Sequence, residues 1–461
     1  MKVLLVSNGF PPSGQWGTEY YTHQLAMGLV ARGDEVLVLH PSRDPSRERF
    51  SLREVEREGI RVFELANTGD PRKRFADSYI CEGVERVFEA LLQREVPDVV
   101  HFTHLLWGLS VRLPAIARAH GARSVVTLTD FGLLCHRGQL YDWLEQECDG
   151  AATPAQCARC VREPGRWDYE PLSRKTRHLA VSAMASCGGL GRVVVAEDIR
   201  RREARIRAAT AAVDHWILPT RTLAKTFFDW GLDERSSTIL PYGIDESRYA
   251  AERGPRAKDG VRFVYMSQYM PHKGLASLLE AARLLEERLP ESVEPWRVDL
   301  HGNGSADRHR LYAREMLGER LPRRVHECGP FEPMRAPEIL DRADCVMVPS
   351  RWRENAPLTI LQARAAGVPV IASDVPGVRE VLEPGVHGLL FPPGDSSAMA
   401  EAMSQVILGQ FAGVRPAPLV LWETHLAAVC RIHAGEAEPA LPFDLPTPTS
   451  ASTHQPASRV V

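Results

Sequence analysis

The chain has few lysines. Among its 461 residues there are six, against fifty arginines. A GC-rich genome produces that bias, and it makes each retained lysine conspicuous. Long apolar runs are missing too: nothing approaches the roughly 18 consecutive apolar residues of a membrane-spanning helix. The opening Met1–Gly9 holds an apolar run too short for a secretory leader. Neither sign of charge prevails, since the net charge is −3, which argues against a nucleic-acid coat or a polybasic membrane anchor. Nine cysteines, an odd number with no leader before them, speak against a disulfide framework. These absences lead to the expectation of a cytoplasmic protein with no nucleic-acid partner.

What is present is a repeated alternation of strands and helices. A single core stops growing at about 250–300 residues, so two domains are expected. Val3–Val6 reads as a short buried strand and Asn8–Glu19 as a loop rich in turn formers. Tyr21, Leu25 and Leu29 then recur at helical spacing before Gly33. Val36–Leu39 completes a βαβ unit, which implies a parallel sheet. Further strands are expected at Val99–Phe102, Ser124–Leu128 and His215–Leu218, and a long Arg/Ala-rich helix at about 196–212. A polar connector, Glu252–Gly260, marks a boundary. Beyond it a second series follows at Arg262–Met266, Arg297–His301, Arg324–Cys328, Asp344–Val348 and Val368–Ser373.

The expected division is therefore an N-terminal domain over 1–250, with a Cys-rich insertion at about 133–175, and a C-terminal domain over 251–407. A helical segment over 408–435 and a disordered tail over 436–461 complete it. Two such α/β, Rossmann-like, doubly wound domains face each other through the carboxyl ends of their strands, where open α/β sheets bind ligands.

The segment Pro349–Ser373 carries the strongest chemical signal, with strand, loop, helix and strand in immediate succession. Glu354 falls just before a helix that begins near Pro357 and Leu358, whose free N–H groups and dipole make an anion site. Gln362 follows eight residues later, about 12 Å along the same side at helical spacing. A carboxylate and an amide so placed can address two sugar rings separated by a diphosphate. Lys273, in the strand-end loop Tyr265–Gly274, stands where its ammonium reaches that diphosphate as a compact point charge. Negative charge grows on a departing nucleoside diphosphate, so a fixed cation favours the transition state.

These residues resemble glycosyltransferase family 4. That family has a Pro-Ser strand end, an E-x7-E motif and then Gly-x-Pro-Val-Ile; here stand Pro349-Ser350, Glu354 and Gly367–Ile371. The segments 344–350, 374–380, 388–395 and 329–334 are similar to family segments, as are Pro11-Pro12 with Gly17–Glu19 and Pro97–His104. The resemblance implies a GT-B fold and retaining transfer of a hexose-type sugar from a UDP-, GDP- or ADP-sugar. The acceptor would be a hydroxyl of a glycan or lipid-linked glycan, as in polysaccharide biosynthesis. It also implies catalytic roles for Glu354, Lys273, Asp130 and His104, with donor binding by Gly17, Gln268, Lys273, Asn355, Ala356, Pro357, Leu358 and Gln362.

Three positions depart from the family pattern. Gln362 replaces the second glutamate, Ser267-Gln268 replaces a Gly-Arg pair, and Thr129-Asp130 replaces His-Asp. They keep an alternative open, a catalytically weak or inactive relative acting as a binding or regulatory protein. The chain holds no Asp-x-Asp, so no catalytic metal is expected; Lys273, the helix behind Glu354 and Gly17 would serve instead.

Cys135, Cys148, Cys157 and Cys160 follow the spacing C-x12-C-x8-C-x2-C, which suits a structural zinc site, with His136 as a substitute ligand. Reduced thiols without metal, or an iron–sulfur cluster on the same ligands, are the other readings. The basic run Arg200–Arg207 is either a solvated helix face or a peripheral contact with an anionic membrane at its inner face.

Overall fold

The computed structural model describes residues 1–14, 16–67, 75–148, 150–163, 194–249, 260–290, 295–303, 310–318, 321–411 and 419–436. The tail expected over 436–461, apart from Glu436, and the connector before Gly260 lie outside the described residues.

The first sheet holds β1 (Lys2–Val6), β2 (Glu35–Ser42), β3 (Leu52–Arg57), β4 (Ile60–Ala66), β5 (Val99–Phe102), β6 (Arg123–Thr127), β7 (His215–Leu218) and β8 (Ser237–Ile239). Their spatial order is β3-β4-β2-β1-β5-β6-β7-β8. Among its strands run the helices α1 (Gly17–Ala31), α2 (Glu82–Glu95), α3 (Leu113–Ala119), α4 (Pro154–Arg162), α5 (Ala196–Thr210) and α6 (Arg221–Trp230).

The second sheet holds β9 (Val261–Met266), β10 (Trp296–His301), β11 (Val325–Gly329), β12 (Cys345–Val348), β13 (Val370–Ser373) and β14 (Gly388–Phe391), ordered β11-β10-β9-β12-β13-β14. Its helices are α7 (Leu275–Arg288), α8 (Arg310–Met316), α9 (Ala336–Asp341), α10 (Leu358–Ala365), α11 (Pro376–Arg379) and α12 (Ser396–Ile407). A last helix, α13 (Trp422–Ala434), follows. Among the described residues, every pairing of these strands but one is parallel.

Both faces of the parallel strands are covered, and side chains alternate between them. In β1, Val3 and Leu5 enter one apolar cluster while Leu4 and Val6 enter another. In β9, Val264 and Met266 share the cluster of Val3 and Leu5, whereas Phe263 and Tyr265 face a third. The shared cluster is thus continuous from one sheet to the other.

The exception to parallel pairing is β3 on β4, an edge hairpin that the periodicity does not reveal. Leu52–Arg57 reads Leu-Arg-Glu-Val-Glu-Arg, and charges on an edge strand discourage pairing with another chain. Its turn, Glu58-Gly59, has positive φ at both residues, as a two-residue hairpin turn requires.

The chain order reverses beside β1 in the first sheet and beside β9 in the second. At such switch points the loops leaving the carboxyl ends diverge and open a crevice. The loops after β1, β9 and β12 therefore meet in the space between the sheets.

Helix α13 does not stay with the second sheet but returns to the first. Tyr21 of α1 donates its hydroxyl to His425, 3.0 Å away, and Arg123 Nε donates to the Ile432 carbonyl at 2.9 Å. The domains are further joined by Glu380, whose carboxylate takes the backbone N–H groups of Arg221 and Thr222 at the start of α6, both at 2.6 Å.

Candidate active site

The cleft between the sheets has a volume of about 380 Å³. From the first domain its wall takes Gly17, Glu19, Thr129, Asp130 and Arg137, and from the second Gln268, Lys273, Glu354 and Gln362.

Glu354 sits in the loop after β12, buried at 5% exposure. Its Oε1 accepts three hydrogen bonds, from Lys273 Nζ at 2.8 Å, Trp352 Nε1 at 2.8 Å and Ser350 Oγ at 2.5 Å. All three fall on one oxygen, so Oε2 keeps acceptor capacity. The Lys273 ammonium also lies 4.7 Å from the centre of the Trp352 ring, a cation–π contact. Close backbone packing sets this arrangement. Gly274 has φ +75°, and a Cβ there would lie 1.7 Å from the Pro349 carbonyl oxygen. Gly377 likewise lets α11 approach the Glu354 backbone, since a Cβ would lie 2.0 Å from the Glu354 carbonyl oxygen.

Ala356, Pro357, Leu358 and Gln362 line the same cleft. Pro357 is the N-cap of α10 and offers no side-chain cap, so the helix dipole faces the cleft unmasked at this end. Because Glu354 lies in the loop ahead of the helix, its separation from Gln362 is not two helical turns. Gln362 is buried in the second turn, not solvent-facing. Gly17 opens α1 across the cleft, and a Cβ on it would reach Leu358 Cδ1 at 3.7 Å without a clash. Two helix N-termini and one ammonium therefore border one space.

On the opposite wall, Asp130 Oδ1 accepts the Gly132 N–H at 2.7 Å, and Oδ2 faces His104 Nε2 at 3.2 Å. His104 Nδ1 accepts the Leu106 N–H at 3.0 Å, which leaves the ring proton on Nε2, aimed at Asp130. Burial pushes the Asp130 carboxyl up, but His104, the Gly132 N–H and Trp107 outweigh it and hold it below the ordinary carboxylate range. His104 itself is buried behind Asp130 and is not part of the cleft wall.

Asn355 lines the cleft, but its side chain spans the domains. Oδ1 accepts from Thr220 Oγ1 at 3.0 Å, and Nδ2 faces the Leu128 and Thr129 carbonyls at 3.5 and 3.4 Å. Its side-chain amide therefore also bridges the two domains. Thr129 donates its hydroxyl to the Thr103 carbonyl at 3.1 Å, so that group is occupied too.

Two charged cleft residues are absent from the expected site. Glu19, buried in the first turn of α1, receives the Asn8 amide at 3.1 Å, and burial raises its carboxyl above the ordinary range. Its position opening a helix after a glycine loop was the available signal. Arg137 reaches the cleft from the Cys-rich insertion, and no local pattern announces it.

The basic run on α5 is mostly neutralised in place. Arg200 and Arg201 pair with Glu197, and Arg207 pairs with Glu203. Arg202 turns inward to the Gly132 and Leu133 carbonyls. Among the described residues no helix is long and apolar enough to cross a membrane.

Comparison with known proteins agrees with this architecture. Residues 17–243 match the family model "Glycosyl transferase 4-like domain", and residues 260–408 match "Glycosyl transferases group 1". A glycogen synthase of Mycobacterium tuberculosis is 24% identical over 439 residues, covering 88% of this chain and 86% of the relative. A phosphatidyl-myo-inositol mannosyltransferase of Mycolicibacterium smegmatis is 30% identical over 174 residues, 36% of this chain and 42% of its own length. That match spans less than half of the relative. The structure of Anabaena HepE in complex with UDP and glucose superposes with a TM-score of 0.56 at 15% identity, covering 94% of this chain and 95% of that one. With the two-sheet cleft, these matches place the chain among the family 4 glycosyltransferases of the GT-B fold.

Proposed function

We propose that the chain moves a hexosyl group from a nucleoside-diphosphate sugar (UDP-, GDP- or ADP-linked) to a hydroxyl of a glycan or lipid-linked acceptor, with retention of anomeric configuration. The observation that carries this reading is the Lys273–Glu354 pair, pinned by Ser350 and Trp352 beside the uncapped start of α10. The structural neighbour bound to UDP and glucose supports a uridine nucleotide as the first donor to try.

In this reading the diphosphate lies among Lys273 and the N-termini of α1 and α10, whose fixed positive ends stabilise the charge that grows as the glycosidic bond breaks. Glu354 Oε2 accepts a hydroxyl of the donor sugar. Asp130, kept ionised and oriented by His104, accepts a hydrogen bond from the attacking hydroxyl on the facing wall. No dedicated protein base is assigned; the proton of the acceptor passes to the departing phosphate.

A thermal-shift and donor-hydrolysis panel with UDP-, GDP-, ADP- and dTDP-sugars, without added divalent metal, tests this. A ligand at 100 times its Kd adds about 2.7 kcal/mol to the binding state. At about 2–4 °C per kcal/mol for domains of this size, one nucleotide family is expected to raise Tm by several degrees and to be hydrolysed slowly. No shift with any donor would replace the transferase reading with that of a binding or regulatory protein, in which Gln268, Gln362 and Thr129 mark a lost donor site.

A further inference from the structure

The insertion after β6 is a strap that crosses from the first domain to the donor side of the cleft. Its short hairpin, bridged by Tyr141 and Glu147, projects two carboxylates onto the loop that carries Glu354. Glu147 pairs with Arg353 at 3.1 Å, and Glu145 pairs with Arg351 at 3.5 Å. The Tyr141 ring stands 6.2 Å from that of His272, the neighbour of Lys273. The strap is therefore built into the edge of the site, yet among the described residues over 131–163 its only helix is α4.

Four cysteines are distributed over this strap. Cys135 follows the first turn, Cys148 ends the hairpin, and Cys157 and Cys160 lie one helical turn apart on α4, on one face. All four are partly buried. Cys157 lies within electrostatic reach of the other three.

Two guanidinium groups flank the cluster. Arg202, buried, has its donors on the Gly132 and Leu133 carbonyls and has no carboxylate ion pair among the described residues, while Cys135, Tyr79, Cys157 and the Asp130 carboxylate are within electrostatic reach of it. Arg137 donates to the Cys160 and Glu163 carbonyls. Isolated buried charges are costly unless an opposite charge accompanies them. A zinc ion with four thiolates carries a net charge of −2, which two guanidiniums balance.

We propose that Cys135, Cys148, Cys157 and Cys160 bind one structural zinc ion that holds the strap over the donor side of the cleft. Binding releases four protons: four thiols and Zn²⁺ give a tetrathiolate of charge −2 and four H⁺. No three of the sulfurs lie within 4.8 Å of one another among the described residues, so ligation draws them together, at Zn–S distances of about 2.3 Å. The one described group whose donor atoms are that close, Asp299, His301 and Cys328, is a poorer cation site, because Arg262 and Arg297 already pair with Asp299.

Metal analysis of the purified full chain tests the site independently of any donor, so it stands apart from the transferase reading. The expected result is about one zinc per chain, lost in Cys157→Ser/Cys160→Ser and retained in Cys328→Ser. Because the double variant could fail to fold, cobalt(II) exchange into the wild-type chain supplies a second readout, an intense thiolate-to-cobalt charge-transfer band. Absence of stoichiometric metal, iron with visible absorption in its place, or zinc that survives the double substitution would each overturn the site. Chelation is expected to expose residues 131–163 to limited proteolysis; a strap that stays protected after metal removal would overturn its holding role.

Discussion

Glu354, buried, and Lys273, partly buried, form an ion pair whose members depend on each other. The carboxylate is 5% exposed and has three donors, of which only the ammonium carries charge. Removing one partner of a buried pair leaves the other uncompensated, at a cost of about 3–5 kcal/mol. Lys273→Ala is therefore expected to lower Tm as well as activity. In the transferase reading the lost cation removes transition-state stabilisation, and kcat for donor hydrolysis is expected to fall about 10²–10³-fold, as for other fixed charge-stabilising groups. Steady-state kinetics beside a melting curve would separate the two effects. A variant that melts lower but turns over normally would assign the pair to stability alone.

That Lys273 and Glu354 stand on loops bordering one cleft was legible from a scarce residue type and a strand–loop–helix motif. Their direct contact was not, because they lie 81 residues apart on different loops. Asn355 shows the limit from the other side: its motif position places it at the cleft, but gives no sign that its side chain meets Thr220 and the Leu128 and Thr129 carbonyls of the facing domain.

Among the elements, α13 is expected to have an attachment that depends on pH. His425 Nδ1 donates to the Pro241 carbonyl at 2.8 Å, so its Nε2 accepts from Tyr21, and the ring is satisfied while neutral. His433 contacts His101 at 2.9 Å, and His101 contacts Thr127 at 2.8 Å. Burial depresses His425 and His433 to about 4, and burial with the neighbouring imidazoles pushes His101 well down. Near His433, Asp34 opposes and Arg123 reinforces the shift.

These folded-state values lie below the ordinary histidine value of about 6.5, so the unfolded chain binds more protons as pH falls. The stability is complete above about pH 6.5 and is lost on acidification toward pH 4, on the order of 3 kcal/mol for each of His425 and His433. Tm is expected to fall across that window, and hydrogen exchange in α13 to rise first. His425→Gln is expected to flatten the profile; an unchanged one would remove His425 from the transition.

The helix itself was legible within the helical segment expected over 408–435. Its destination was not, since an amphipathic stripe does not say which domain it covers. The β3–β4 hairpin was missed for the opposite reason: edge charges erase the apolar alternation by which strands are recognised.

At the scale of the whole molecule, the cleft depends on how the two sheets are held. Glu380 provides a latch, a carboxylate on two N–H groups at the start of α6. A charge at a helix N-terminus contributes about 0.5–2 kcal/mol, enough to shift an open–closed balance several-fold. Glu380→Ala is expected to enlarge the radius of gyration in small-angle scattering and to raise KM for the donor more than it lowers kcat. An unchanged scattering curve with unchanged KM would show that Asn355 and the strap suffice to hold the domains.

Sequence alone determined the alternation of buried strands and helices, the division into two halves and the loops that carry the charged groups. These follow from periodicity and turn residues, which are properties of neighbours along the chain. Only the tertiary structure decided that Lys273 meets Glu354, that His104 stands behind Asp130, that Asn355 bridges the domains and that α13 returns to the first sheet. Those contacts join residues far apart in sequence, and the reversal of strand order in each sheet is what brings their loops to one cleft.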